Sequence, residues 1–165
     1  MDYSVDNICA HINVDRTKEI YRSLVADSRD NSAILNYRKN VFMRKGRIEE
    51  YLSPLGIDIS KYQGLDPVSI NQAAQSVTYC GYYPLYVENI SELKGLIGVE
   101  YDNGGFHVNK TEFGFEFSLE YINEQVVLFF WAELPWLFMP PIEKPKYENK
   151  AALPEIMHEC TLSGS

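Results

Sequence analysis

Cysteine is scarce in this 165-residue chain, which carries only Cys9, Cys80 and Cys160. An odd, sparse count without a Cys-x-x-Cys step does not read as a disulfide framework, so the thiols fit a reducing compartment. Long apolar runs are missing too. The most hydrophobic stretch, Val126 to Met139, is shorter than a membrane span and is interrupted by Glu133 and Pro135. The opening residues, Met1-Asp2-Tyr3-Ser4-Val5-Asp6, show neither the positive nor the apolar segment of a secretory signal. A cytoplasmic protein is the expectation. Catalytic signatures are equally absent. There is no Gly-x-Ser-x-Gly, no phosphate-binding glycine loop and no His-Glu-x-x-His.

Positive charge is the minority. Fifteen Lys and Arg face 23 Asp and Glu, a formal net charge of −8. Such a surface repels phosphate backbones and anionic bilayers on average, which disfavours general nucleic-acid or membrane binding and favours a basic partner. The imbalance is uneven along the chain. Residues 1–50 hold nine basic and eight acidic residues, whereas 51–165 hold six basic and fifteen acidic.

What is abundant is apolar and aromatic. A 45% hydrophobic composition with 12 Tyr and 8 Phe is that of a folded chain, and the length suits one domain over residues 1–165. The N-terminal third reads as helices. Asp15 can cap one carrying Ile20, Leu24 and Val25. Asn31 or Ser32 can cap a second with Ile34, Leu35, Val41, Phe42 and Ile48 on one stripe, weakened at Gly46 and ended by Ser53-Pro54. Asp66-Pro67 reads as the start of a short helix reaching about Gln75. From Val77 the pattern turns to strands, at 77–83 and 96–101. A tight hairpin is expected at Asp102-Asn103-Gly104-Gly105. Phe113, Phe115, Phe117, Leu119 and Tyr121 then alternate with Gly114, Glu116, Ser118 and Glu120, a period of two. Asn123-Glu124 turns the chain, and Val126 to Ala132 is apolar on both faces, as in a central strand. Beyond Trp136 the prolines suggest an extended arm over 135–165, with a short helix near Pro154 to His158. The expected class is α+β, with N-terminal helices (about 1–76) packed on an antiparallel meander of four to five strands (about 77–134).

The acidic strand supplies the leading site. Glu112, Glu116 and Glu120 are four residues apart, so a strand would project all three from one face about 13 Å apart at each step, too far for a shared metal or proton. Glu100 and Asp102 fall nearby in sequence, and between residues 88 and 133 nine acids face only Lys94 and Lys110. Tyr82, Tyr86 and Trp136 would add apolar contact to a docking surface. The competing view is a solvated face that keeps an aromatic sheet soluble. The basic run Arg29, Arg38, Lys39, Arg44, Lys45 and Arg47 reads best as an amphipathic helix face or as the internal partner of the acids. Cys9-x-His11 and His158-x-Cys160 mirror one another near the two ends but lack the usual zinc spacing, so no metal and no cofactor is assigned.

Small acidic immunity proteins that neutralise nuclease toxins are similar in size and charge, and no motif goes beyond that bulk resemblance. The reading is a non-catalytic binder that neutralises a basic partner such as a nuclease toxin. Two alternatives stand beside it: a homodimeric secretion chaperone for an effector protein, and a small enzyme using His107 with a carboxylate such as Asp102 or Glu116.

Overall fold

The structure, a computed structural model, describes residues 1–97 and 108–143. The chain is α+β, with N-terminal helices on a five-strand antiparallel sheet. It does not begin with a helix. Strands β1 (Asp2–Val5) and β2 (Ile8–His11) form an antiparallel hairpin. Tyr3, Val5, Ile8 and Ala10 point inward while Asp2, Ser4 and His11 are exposed, the alternation of a half-buried ribbon. Asp6, at φ 51°, supplies the left-handed turn.

Helix α1 (Val14–Ser23) is capped by Asn13, whose side chain accepts from the Arg16 amide, and Asp15 lies within the first turn rather than at the cap. Helix α2 (Ser32–Met43) starts where expected, with the Asn31 side chain accepting from the Ile34 amide. The predicted long second helix breaks at Arg44, and α3 (Lys45–Leu52) follows, carrying Gly46 in open space. Leu35 and Phe42, expected on the buried stripe, are exposed, and Tyr37 takes the inward position. A 3-10 turn at Ser53–Leu55 ends the helical run at Pro54, and Gly56 (φ 88°) reverses the chain against the Val14 carbonyl, where a Cβ would come within 2.6 Å.

Asp66-Pro67 does not start a helix. It lies inside β3 (Gln63–Asn71), the edge strand of the sheet order β3-β4-β7-β6-β5. Proline cannot donate to a ladder and is tolerated at an edge or a bulge, and the register shifts on either side of this pair. Strand β4 (Ser76–Pro84) matches the expected strand, and α4 (Ile90–Leu93) is a single turn. Leu96 and Ile97 lie in a turn; the rest of the 96–101 strand and the 102–105 hairpin fall outside the described residues. Strand β5 (Asn109–Lys110) pairs with β6 (Phe115–Ile122), and Asn123-Glu124, both at positive φ, connect β6 to the central β7 (Gln125–Pro135). The arm is described as far as Glu143.

One face of the sheet, the hairpin and the helices share a single buried cluster. Tyr37 of α2 sits at its centre, stacked on Phe130 at 5.9 Å and edge-on to Tyr62 and Tyr79. Gly81 opposes Phe130, and a Cβ there would meet the ring at 2.6 Å, so the glycine makes room for the aromatic centre. Buried Asn36 bonds the Tyr79 hydroxyl, the Pro135 carbonyl and the Leu137 amide, tying α2 to the end of β7. Among the described residues no helix is long and apolar enough to cross a membrane.

Candidate functional site

The alternation in β6 does divide its side chains, but not into one dry and one wet row. Phe115, Phe117 and Leu119 face the helices; Glu116, Ser118 and Glu120 face the other way. On that second face Trp131, Phe129 and Val127 of β7 lie opposite them in register, with Cys80 and Tyr82 of β4 one strand further on. Val68, Cys80, Val127 and Phe129 form a small second cluster, edged by Tyr82, Ile122 and Trp131.

The three glutamates therefore do not form one exposed row. Glu112 precedes the strand, in a tight turn where the Thr111 amide donates to the Phe115 carbonyl and the Thr111 hydroxyl accepts from the Phe115 amide. That turn, with Gly114 at φ 86°, delays the ladder until Phe115. Glu116 is half-buried and 3.8 Å from the Lys110 ammonium. Glu120 is buried at 5% exposure. Ser118 donates to its Oε1 at 3.1 Å, while Oε2 has no hydrogen-bond partner among the described residues. Burial pushes this carboxyl up to about 7, partly offset by the Ser118 bond. It is a buried acid rather than a surface anion.

The other predicted site residues are dispersed. Tyr82 is half-buried on the second face, and burial raises its hydroxyl. Tyr86 is exposed at the far end of the sheet under the Arg16 guanidinium, 5.6 Å from the ring centroid. Trp136 is half-buried beyond β7 and donates from Nε1 to the Pro140 carbonyl. Glu100, Asp102 and His107 lie outside the described residues.

What the structure does bring together is a groove of about 530 Å³ beside the β5–β6 turn. Arg47, Glu50 and Tyr51 of α3 line one side and Lys110, Glu112 and Phe113 the other. Glu50 and Arg47 were not marked by the sequence as neighbours of Glu112, because only the fold sets α3 against that turn. The basic run is largely consumed inside the molecule. Arg29 bonds Asp27 and pairs with Asp66, Arg38 bonds the Tyr62 hydroxyl and the Asp27 carbonyl, and Arg44 bonds Asn40.

A second convergence lies on the outer face of the β1–β2 hairpin. Asp2 and His11 are direct cross-strand partners, with Asp2 Oδ1 2.7 Å from His11 Nδ1. That bond holds the Asp2 carboxyl below its ordinary range and the His11 imidazole above its own. Cys9, two residues before His11 and so on the same face, brings its sulfur within 4.8 Å of both. Cys9 is a free thiol. Cys80 is disulfide-bonded, against the expectation that the cysteines are the thiols of a reducing compartment.

Comparison with protein-family models, with curated proteins and with solved structures gives no match.

Proposed function

We propose that the protein is a non-catalytic binder of a basic protein, of the kind by which an immunity protein masks a cationic nuclease toxin, docking through the acidic surface around Lys110. The observation that carries this reading is the charge of the strand half. Residues 63–97 and 108–143 hold nine acidic residues, from Asp66 to Glu143, against Lys94 and Lys110 alone; with Asp66 paired to Arg29 and Glu120 buried, seven carboxylates remain on the surface. Both lysines are engaged locally, Lys94 over the Tyr121 ring and Lys110 beside Glu116. Arg29, Arg38 and Arg44 of the helical half are drawn into internal bonds and Arg47 alone of the basic run lines the groove, so carboxylates still outnumber cations on this side, and such a field steers cationic partners. Glu112 and Glu116, with Glu50 across the groove, carry the contact. Buried Glu120 takes no part in it.

The test is binding of the intact protein to a panel of basic nucleases by calorimetry at low and high salt. Affinity for the cognate nuclease should fall as salt screens the charges. The pair Glu112→Lys and Glu116→Lys should weaken it at least about 30-fold, since losing a central interfacial charge costs about 2–5 kcal/mol. Binding indifferent to both salt and charge reversal, or no binding to any basic nuclease, removes the reading.

One observation favours the chaperone alternative. Leu35, Phe42 and Met43 are exposed on α2, and Met139 of the arm is exposed at 85%. An apolar face of this kind suits a homodimer that holds an effector segment. A monomer by sedimentation equilibrium at working concentration would dismiss it.

A further inference from the structure

We propose that the outer face of the β1–β2 hairpin is a zinc-binding site, held by the Asp2 carboxylate, the Cys9 thiolate and the His11 imidazole. The donor set points to the ion. One thiolate sulfur, one imidazole nitrogen and one carboxylate oxygen are the three ligand types of zinc, and the mixture suits a borderline-soft divalent ion better than calcium or magnesium, which take oxygen.

The placement follows from register. Asp2 pairs with His11, and Ser4 pairs with Cys9. The three ligands therefore come from adjacent positions of one short ladder and share its solvent side. Their donor atoms all lie within 4.8 Å of one another. Ligands around a tetrahedral zinc sit about 3.3–3.8 Å apart, given bonds of about 2.0–2.3 Å. Rotamer changes of the exposed Asp2 and His11 side chains beside the half-buried Cys9 close that difference, and the Asp2–His11 bond opens as the ion takes the place of the shared proton. Binding also releases the Cys9 thiol proton to solvent. A fourth position is left for water.

The backbone beneath is fixed, which distinguishes this group from a chance surface trio. The opposite face of the hairpin, Tyr3, Val5, Ile8 and Ala10, is in the core. Asn89 clamps the ligand strand from the side, donating to the Cys9 carbonyl at 2.8 Å and accepting from the His11 amide at 2.9 Å. The Asn89 amide also reaches Glu92 at 3.3 Å, and the Glu92 charge adds to the negative potential that His11 feels. The site is remote in sequence from Lys110 and shares no residue with the docking surface, so either can stand without the other.

The experiment uses the full-length protein, stripped of metal by a chelator and titrated at neutral pH with zinc chloride by calorimetry. Cobalt(II) replaces zinc in a parallel optical titration. One zinc per chain should bind, with a dissociation constant of about 10 µM or tighter. Cobalt should give a thiolate charge-transfer band, and zinc should protect Cys9 from alkylation by N-ethylmaleimide. Cys9→Ser and His11→Gln should each weaken binding roughly tenfold or more, and Cys9→Ser should abolish the charge-transfer band. Asp2→Asn should weaken it less. All three positions lie on the solvent side of the hairpin, and unchanged circular dichroism confirms that the variants fold. No saturable zinc binding at about 100 µM, or binding that survives both Cys9→Ser and His11→Gln, overturns the proposal.

Discussion

The two faces of the five-strand sheet are built from the same alternating strands and end up chemically different. On the helix side Phe115, Phe117, Tyr83 and Phe130 join Tyr37 in one continuous packing of rings. Its hydroxyls are mostly placed, Tyr79 donating to the Ala33 carbonyl and Tyr83 to the Ile59 carbonyl. The other side has a smaller apolar centre around Phe129, and ionisable or hydroxyl side chains reach into it at Glu116, Ser118 and Glu120. Alternation thus sorts residues into two faces without saying how wet each face is. Cover decides that, and cover is a tertiary property.

Removing a ring from each face tests the asymmetry most strongly. Phe130→Ala should cost about 3–5 kcal/mol, because the cavity opens among the rings of Tyr37, Tyr83, Phe115 and Phe117, which cannot all collapse into it. Phe129→Ala should cost clearly less, since that ring sits in a small cluster edged by the partly buried Tyr82, Ile122 and Trp131. Urea midpoints of the two variants measure the difference, and equal losses would show the second face to be as tightly packed as the first.

Next in size is the buried carboxyl. Glu120 titrates near 7 in the folded protein against an ordinary value of 4.5, because burial disfavours its anion. Between those two values the unfolded chain has lost this proton and the folded chain still holds it. The protonated form therefore supports the fold fully below the lower value, and that support is lost as pH rises to the upper one, after which the penalty is constant. Glu120→Gln removes the titration. Its stability relative to the parent should rise by on the order of 1–3 kcal/mol between about pH 4 and about pH 8. Parallel pH profiles for the two proteins would mean that Glu120 is hydrated.

How much of this was legible follows the same division. The α+β class, the Asn31 cap, β4, β6, β7 and the Asn123-Glu124 turn were readable, because each rests on local period or turn chemistry. The N-terminal hairpin was missed although Tyr3, Val5, Ile8 and Ala10 alternate around Asp6-Asn7, a signal hidden by the helical stretch that follows. Asp66-Pro67 misled because cap-then-proline is also compatible with an edge-strand bulge, and only pairing with β4 distinguishes them. At the candidate docking site, spacing identified Glu116 and Glu120 as one face. It did not reveal that Glu120 is covered, nor that a turn removes Glu112 from the ladder. The Cys9-x-His11 pair was visible as a motif, whereas its third member, Asp2, needed the hairpin register.

The smallest expected effect separates the exposed part of the second face from its buried part. Lys110 and Glu116 face each other across the β5–β6 ladder at 3.8 Å, with the lysine side chain 76% exposed and the glutamate 45% exposed. Water screens such a pair, and ordering two long side chains offsets its attraction, so Lys110→Ala should change stability by less than about 0.5 kcal/mol. The same substitution removes one of the two cations of the strand half. Binding of a basic partner should therefore tighten modestly while the urea midpoint stays still. Should stability fall by more than about 1 kcal/mol instead, Lys110 would be a structural counter-ion of the sheet, and the carboxylates around it would be committed to the fold rather than free for a partner.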